Sequence, residues 1–283
     1  MSNIKKVWIV GANGRLGQAI NELLDRREIE VLNTDIDDVD ITDSESLMIY
    51  GDMNRPDVII NCAGVTDVEL CEREVEKAYK VNALGARNLS VVAFKTGAKL
   101  IHISTDDVFS GESKVPYSEF DTPHPKSVYG KSKLAGESFV KDFVNKYMII
   151  RSSWVYGAGE NFVKDLLELA KTQDTIQIAD DQFGAPTSAM ELAKLVIYLM
   201  NTTEYGLYHG TCEGYCSRYE FAKEILDLAG VKVKLEAVST KKAQLASERP
   251  AYSVLDNFML RISDTYKMPS WQDALADYIK KIG

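Results

Sequence analysis

Tyr129 and Lys133 are separated by three residues, a spacing that sets a phenol and an ammonium on one face of a helix. Thr105 closes the apolar run Leu100-Ile101-His102-Ile103-Ser104, which reads as a buried parallel strand. A strand-end hydroxyl, a phenol and an ammonium are the parts of a proton-delivery device. The phenol is the acid. Its ordinary pKa is about 10, and a nearby ammonium is expected to lower it. The hydroxyl would hold the oxygen that receives the proton.

The device has an expected neighbour in the first turn of the chain. Gly11, Gly14 and Gly17 lie between the apolar strand Val7-Trp8-Ile9-Val10 and an amphipathic helix through Leu24. Glycines in a strand–turn–helix context let a backbone approach a dinucleotide pyrophosphate, and the helix N-terminus favours its charge. The spacing, Gly-x-x-Gly-x-x-Gly, is wider than that of ordinary dehydrogenases. Asp35, at the end of the strand Glu30–Thr34, suits the adenine-ribose 2′-hydroxyl and opposes a 2′-phosphate. Arg15 could instead meet that phosphate, so NADH and NADPH both stand as cofactors. Asp40-Ile41 and Cys62-Ala63-Gly64-Val65 fall at later strand ends on the same edge, where open sheets bind ligands.

These residues need a scaffold of alternating strands and helices. Strands are expected at Val7–Val10, Glu30–Thr34, Asp57–Asn61, Leu100–Ser104 and Tyr147–Arg151, with one long helix from Glu72 to about Thr96. Pro123-His124-Pro125 separates the helix carrying Tyr129 and Lys133 from what precedes it. This rhythm means βαβ units and an α/β, Rossmann-like, doubly wound parallel sheet. After Trp154 the rhythm loosens. Helices are expected over Asn161–Lys171, over Ser188–Asn201 with a Ser188/Glu191 capping box, and over Arg218–Ala229 ending at Gly230. Thr175–Ile178 and Val233–Val238 read as strands, and Gly206–His209 as a segment rejoining the sheet. No repeat or linker appears. The organisation expected is a dinucleotide-binding domain over residues 1–153 and a smaller, interleaved substrate-binding lobe over 154–283.

Composition limits the partners. At 283 residues the chain can bury a sizeable core, and 45% hydrophobic with 27% charged residues is ordinary globular usage. A net charge of −9 disfavours nucleic acid and anionic membranes while leaving room for a local basic pocket. No apolar stretch is long enough to span a bilayer, and no signal peptide is recognisable at the N-terminus. Cys62, Cys71, Cys212 and Cys216 lack a two-pair zinc spacing, so no metal is expected and the cytoplasm is the expected compartment.

The glycine pattern, Ser104-Thr105-Asp106 and Tyr129-x-x-x-Lys133 resemble the extended short-chain dehydrogenase/reductases. Ser104-Thr105-Asp106-x-Val108-Phe109, Arg151-Ser152-Ser153-Trp154-Val155-Tyr156-Gly157, Asn161-Phe162-Val163 and Asp181-Gln182-x-Gly184-x-Pro186-Thr187 narrow this to a likeness to the dTDP-4-dehydrorhamnose reductases. Gly206-x-Tyr208-His209, Tyr219-Glu220-Phe221-Ala222 and Arg249-Pro250 extend the likeness nearly end to end. It implies NAD(P)H-dependent reduction of a 4-keto dTDP-sugar, with Thr105, Tyr129 and Lys133 catalytic. It implies a cofactor lined by Gly14, Arg15, Leu16, Asp35, Asp40, Ile41, Ala63, Gly64 and Val65, and a sugar touched by Thr105, Asp106 and Trp154. A homodimer is compatible with this family.

Two positions depart from the family pattern. Asp107 stands where most members have Tyr, which opens a reading as a reductase or epimerase of another nucleotide-activated keto sugar. Gln18-Ala19-Ile20 lacks the Glu with which some members bind Mg²⁺. Relatives that serve as non-catalytic, NADP-binding regulatory subunits supply a third reading, opposed by the intact Thr105, Tyr129 and Lys133. Arg151, Arg218, Lys241, Arg249 and Arg261 are candidates for the sugar-nucleotide diphosphate, Arg249 foremost, since a guanidinium fork suits phosphate. Trp154, Phe183 and Tyr252 are either stacking partners for thymine or deoxyribose, or core.

Overall fold

A computed structural model describes residues 4–240 and 250–283. The chain starts with β1 (Lys6–Val10), α1 (Arg15–Leu23), β2 (Glu30–Thr34), α2 (Ser44–Asn54) and β3 (Val58–Asn61). Next come α3 (Val68–Arg73), α4 (Val75–Tyr79), a π-helical turn (Lys80–Gly85) and α5 (Ala86–Thr96). β4 (Lys99–Thr105), α6 (Val128–Phe143), β5 (Tyr147–Ser152), β6 (Val155–Tyr156) and α7 (Phe162–Leu169) continue it. Then follow β7 (Thr175–Ala179), β8 (Phe183–Gly184), β9 (Thr187–Ser188), α8 (Ala189–Met200) and β10 (Gly206–His209). The last elements are β11 (Cys216–Ser217), α9 (Arg218–Ala229), β12 (Lys234–Val238), α10 (Phe258–Ile262) and α11 (Trp271–Ile282).

Six parallel strands form the central sheet in the order β10-β5-β4-β3-β1-β2. The order reverses at β1 and β3, and ligands of doubly wound sheets bind at such a switch point. Both faces are covered, as near-continuous apolar strands require. Trp8, Val10, Ile59, Leu100 and Ile149 pack against Leu47 of α2, Leu89 and Val92 of α5 and Val140 of α6. Val7, Ile9, Ile60, Ile101, Met148 and Ile150 pack against Ile20 of α1 and against Leu192, Leu195 and Leu199 of α8. The later part of the chain therefore supplies a covering helix, and with β10 it also supplies an edge strand. Three short strand pairs, β7–β12, β8–β11 and β6–β9, make up the rest of the β-structure among the described residues.

Two expectations need correction. The single helix from Glu72 to Thr96 is broken. The backbone at Glu74 leaves the helical region (φ −118°, ψ 62°), and the π-turn widens the coil before α5. Every residue there tolerates a helix, so composition gives no sign of the break; tertiary bonds made by Asn82 do. Ser188 precedes α8 as its N-cap residue but makes no side-chain cap, and Glu191, the other half of the expected box, pairs forward with Lys194 at 2.6 Å. The reciprocal box forms instead at Ser217 and Glu220, at the start of α9.

Candidate active site

The glycine turn sits where the switch point needs it. Gly11 has φ +77°, and a Cβ there would lie 2.7 Å from the Ala63 nitrogen, so β1 and β3 can close on each other only at a glycine. Gly14 is the N-cap of α1, while Leu16 and Gly17 are buried at the foot of that helix. A cleft of about 300 Å³ opens at this edge, lined by Gly11, Gly14, Asp35, Asp40, Ile41, Ala63, Gly64 and Val65. Eight of the expected cofactor residues thus share one concavity, whose shape and backbone donors suit an adenosine and pyrophosphate. The Asp35 carboxylate accepts from the Asn13 and Ile36 backbone nitrogens at 3.0 and 2.9 Å. Arg15 is not at this cleft. Its guanidinium donates twice to the Glu160 carbonyl, at 2.9 and 2.7 Å, on the wall of a second cavity.

That second cavity, about 640 Å³, brings together Thr105, Asp106, Asp107, Tyr129 and Trp154 with Arg15, Gln182, Arg218 and Ser253. Thr105 caps the turn after β4, accepting from the Asp107 nitrogen at 3.2 Å and donating to Asp106 at 3.1 Å. Asp106 is buried and also accepts from Ser153 at 2.7 Å. Burial raises its pKa, while hydrogen bonds from Ser253, Ser153 and Thr105 oppose the rise. Ser127 caps α6 through the Gly130 nitrogen at 3.0 Å. Gly130 lets α6 press against this turn, since a Cβ there would lie 2.0 Å from the Asp107 carbonyl oxygen.

Tyr129 meets Thr105 through a hydrogen bond that lowers the phenol's pKa. Burial, and next the Asp107 charge, push it well above its usual value and prevail. The expected net lowering by Lys133 is therefore corrected for this state. The Lys133 ammonium instead donates to the Ile103 carbonyl at 2.6 Å, and burial lowers its pKa to about 8. It approaches the cleft behind Gly64, 3.8 Å from where a Cβ of that residue would stand. Sequence reasoning missed Asn82. From the π-turn its amide holds the Val65 nitrogen and carbonyl at 2.9 and 3.0 Å and donates to Ser132 at 3.0 Å. It joins the cleft to the helix of Tyr129 and Lys133, and π-turns recur at functional sites.

The remaining candidates separate. Trp154 lines the cavity with φ +46°, an uncommon conformation for a bulky residue, and Arg218 lies over its ring at 3.5 Å. Arg151 is buried in an ion pair with Glu137 and is no diphosphate ligand. Arg261 pairs with Asp256. Phe183 and Tyr252 pack on each other, 6.4 Å between centroids, outside the cavity lining. Arg249 and Lys241 lie outside the described residues. The thiols of Cys62, Cys212 and Cys216 are pushed up to about 12 by burial.

A glycine turn at the switch point beside a Thr, Tyr and Lys set defines the extended short-chain dehydrogenase/reductase class. Within that class, the family model of the RmlD substrate binding domain matches residues 5–283. The chain belongs to this family. It is 43% identical to a dTDP-4-dehydrorhamnose reductase of Clostridium acetobutylicum whose crystal structure superposes with a TM-score of 0.96, covering 98% of this chain and 99% of that one. The Bacillus anthracis dTDP-4-dehydrorhamnose reductase, solved in complex with NADP, is 41% identical with a TM-score of 0.96 and the same coverage, 98% and 99%. A dTDP-4-dehydrorhamnose reductase of Aggregatibacter actinomycetemcomitans is 37% identical, covering 95% of this chain and 97% of the relative.

Proposed function

We propose that this chain reduces the 4-keto group of dTDP-4-dehydro-L-rhamnose to dTDP-L-rhamnose, using NADH or NADPH. The observation that carries the reading is the convergence of Thr105 and Tyr129 on one cavity, with Lys133 between it and the dinucleotide cleft. The bound reduced nicotinamide supplies a hydride to the keto carbon. Tyr129 holds a proton on its phenol oxygen and delivers it to the keto oxygen; its raised pKa keeps that proton in place at neutral pH. Thr105 aligns the same oxygen, and Asp106 with Ser153 fixes the turn that carries Thr105. Lys133 reaches the nicotinamide ribose. Gly11, Gly14, Arg15, Leu16, Gly17, Asp35, Asp40, Ile41, Ala63, Gly64 and Val65 surround the cofactor, Arg15 from the side facing the sugar. Thr105, Asp106, Trp154 and Arg249 meet the sugar nucleotide.

With this reading goes a division of labour, residues 1–153 holding the cofactor and 154–283 mainly the sugar nucleotide. A cytoplasmic homodimer fits it. Leu84 of the π-turn and Phe94 of α5 are exposed, and all four cysteines are free. No helix among the described residues is long and apolar enough to cross a membrane, and a net charge of −9 disfavours nucleic acid. The test is loss of reduced-nicotinamide absorbance with dTDP-4-dehydro-L-rhamnose and with other nucleotide keto sugars. Faster turnover of a different keto sugar by more than about tenfold, a difference of about 1.4 kcal/mol, would overturn the sugar assignment.

A further inference from the structure

Tyr129 is the second residue of α6, and the chain that leads to it gives this helix start little support, because residues 109–127 are irregular. The first N–H groups of a helix have no partner inside it and must be satisfied from outside. Here Ser127 takes the Gly130 nitrogen at 3.0 Å, and Glu72, 56 positions before Val128, takes the Val128 nitrogen at 2.8 Å. The first turn of α6 contains no acid of its own, so Glu72 supplies the carboxylate that the positive end of a helix favours. Tyr129 lies between the two bonded residues, and Gly130 presses on the Asp107 carbonyl from the other side.

Glu72 belongs to α3, and the segment that enters α3 starts at the cofactor cleft. Val65 lines that cleft. Asn82 holds its nitrogen and carbonyl, and the same carbonyl accepts from the Cys71 thiol at 3.7 Å. Thr66 and Asp67 line the substrate cavity, and Asp67 caps α3 through the Leu70 nitrogen at 3.0 Å. Val68 and Cys71 are buried, which anchors the helix. A short fixed segment therefore runs from the cofactor cleft, past the substrate cavity, to the residue before Tyr129.

We propose that Glu72 is a positioning residue for the reaction: by holding the Val128 nitrogen it sets the height of Tyr129 against the cofactor cleft. This inference deepens the proposed function and rests on it. Glu72 lines neither the cleft nor the substrate cavity, so it acts on the rate through the placement of the phenol and not through binding. Displacing a reacting group by about 1 Å can slow a reaction by up to ~10²-fold.

The test compares Glu72→Leu, which removes the acceptor, with Glu72→Gln, which keeps one at the same reach. In single-turnover reduction of dTDP-4-dehydro-L-rhamnose, Glu72→Leu should be slower by roughly ten- to a hundredfold. NADH affinity and KM for the sugar nucleotide should stay within about twofold, and Glu72→Gln should recover most of the rate. Hydrogen exchange is a second readout that needs no activity. In Glu72→Leu the amides at the start of α6 should exchange faster than in the unaltered protein, while those in its second half should not. A normal rate in Glu72→Leu, equal slowing in both variants, a parallel loss of NADH affinity, or unchanged exchange at the start of α6 would overturn the inference. An unaltered protein that turns over no nucleotide keto sugar would instead overturn the proposed function, and the exchange comparison would still decide whether Glu72 holds α6.

Discussion

Glu137 of α6 and Arg151 of β5 form a two-pronged ion pair, at 2.8 and 2.7 Å, with both side chains sealed from solvent. Ser104, beside Thr105 on β4, donates to the same carboxylate at 2.6 Å. Glu137 lies one helical turn beyond Lys133. The pair thus ties the helix of Tyr129 and Lys133 to the strand that ends in Thr105, and it sets their relative height.

Breaking one side of this pair should be expensive. Arg151→Met strips the buried carboxylate of its two-pronged partner, leaving only Ser104 at 2.6 Å and the half-exposed Lys141 ammonium at 3.9 Å, and breaking such a pair typically costs ~3–5 kcal/mol. Removing both charges together, as Glu137→Leu with Arg151→Met, should recover most of the loss. Urea denaturation of Glu137→Leu, Arg151→Met and the double variant measures it. A double variant as unstable as the sum of the singles would show that the two charges do not interact.

Much of this scaffold is readable in the sequence because its signals are local. Apolar runs give the parallel strands, and Gly11, Gly14 and Gly17 mark the switch-point turn. The Tyr129–Lys133 spacing gives a shared helix face. What could not be read depends on partners distant in sequence. Arg151 looks like a phosphate ligand until Glu137 is seen beside it. Glu191 looks like half of a capping box until Lys194 competes for it. Nothing local betrays the break at Glu74 or the inward turn of Asn82. The same holds for the phenol, whose pKa is set by burial and by Asp107 rather than by Lys133, the neighbour that spacing suggests.

Lys133 should make stability rise with alkaline pH. Burial brings its pKa to about 8 in the folded protein against an ordinary 10.5, so the unfolded chain holds more protons between those two pH values. The cost of burying the ammonium is fully present below pH about 8 and is relieved as pH climbs towards 10.5. The unaltered protein should therefore gain stability relative to Lys133→Met across this window. Denaturation midpoints at both ends of the window measure it, and an unchanged difference would refute the shift.

His209 should act at the acid end. It is buried, its Nδ1 lies 3.0 Å from the Asp256 carbonyl, and burial lowers its pKa to about 3 from 6.5. The unfolded chain binds the extra proton between these values, so stability falls as pH drops from 6.5 towards 3. His209→Gln should flatten that decline. An equally steep loss in the variant would assign it to carboxylates alone.

Cofactor choice tests Asp35. Its carboxylate lines the cleft at the glycine turn and, on the proposed function, should oppose a 2′-phosphate, so NADH is expected to serve at least as well as NADPH. Steady-state titration of both cofactors decides it. A preference for NADPH greater than roughly tenfold, about 1.4 kcal/mol, would remove Asp35 from the ribose.

Tyr129→Phe is the sharpest test of the chemistry. The substitution removes one oxygen and keeps the ring, so the packing of α6 against the Asp107 turn should survive. Cofactor affinity should stay near normal, because the glycine turn and Lys133 are untouched. The proton donor would be gone, and general acid catalysis typically supplies ~10²–10⁴-fold, so turnover should fall by about that factor. Lys133→Met should impair both turnover and cofactor binding, since that ammonium lies between the cleft and the phenol's helix. Stopped-flow reduction under single-turnover conditions separates chemistry from product release. Retention of more than about a third of the normal rate by Tyr129→Phe in that assay would mean that another group delivers the proton.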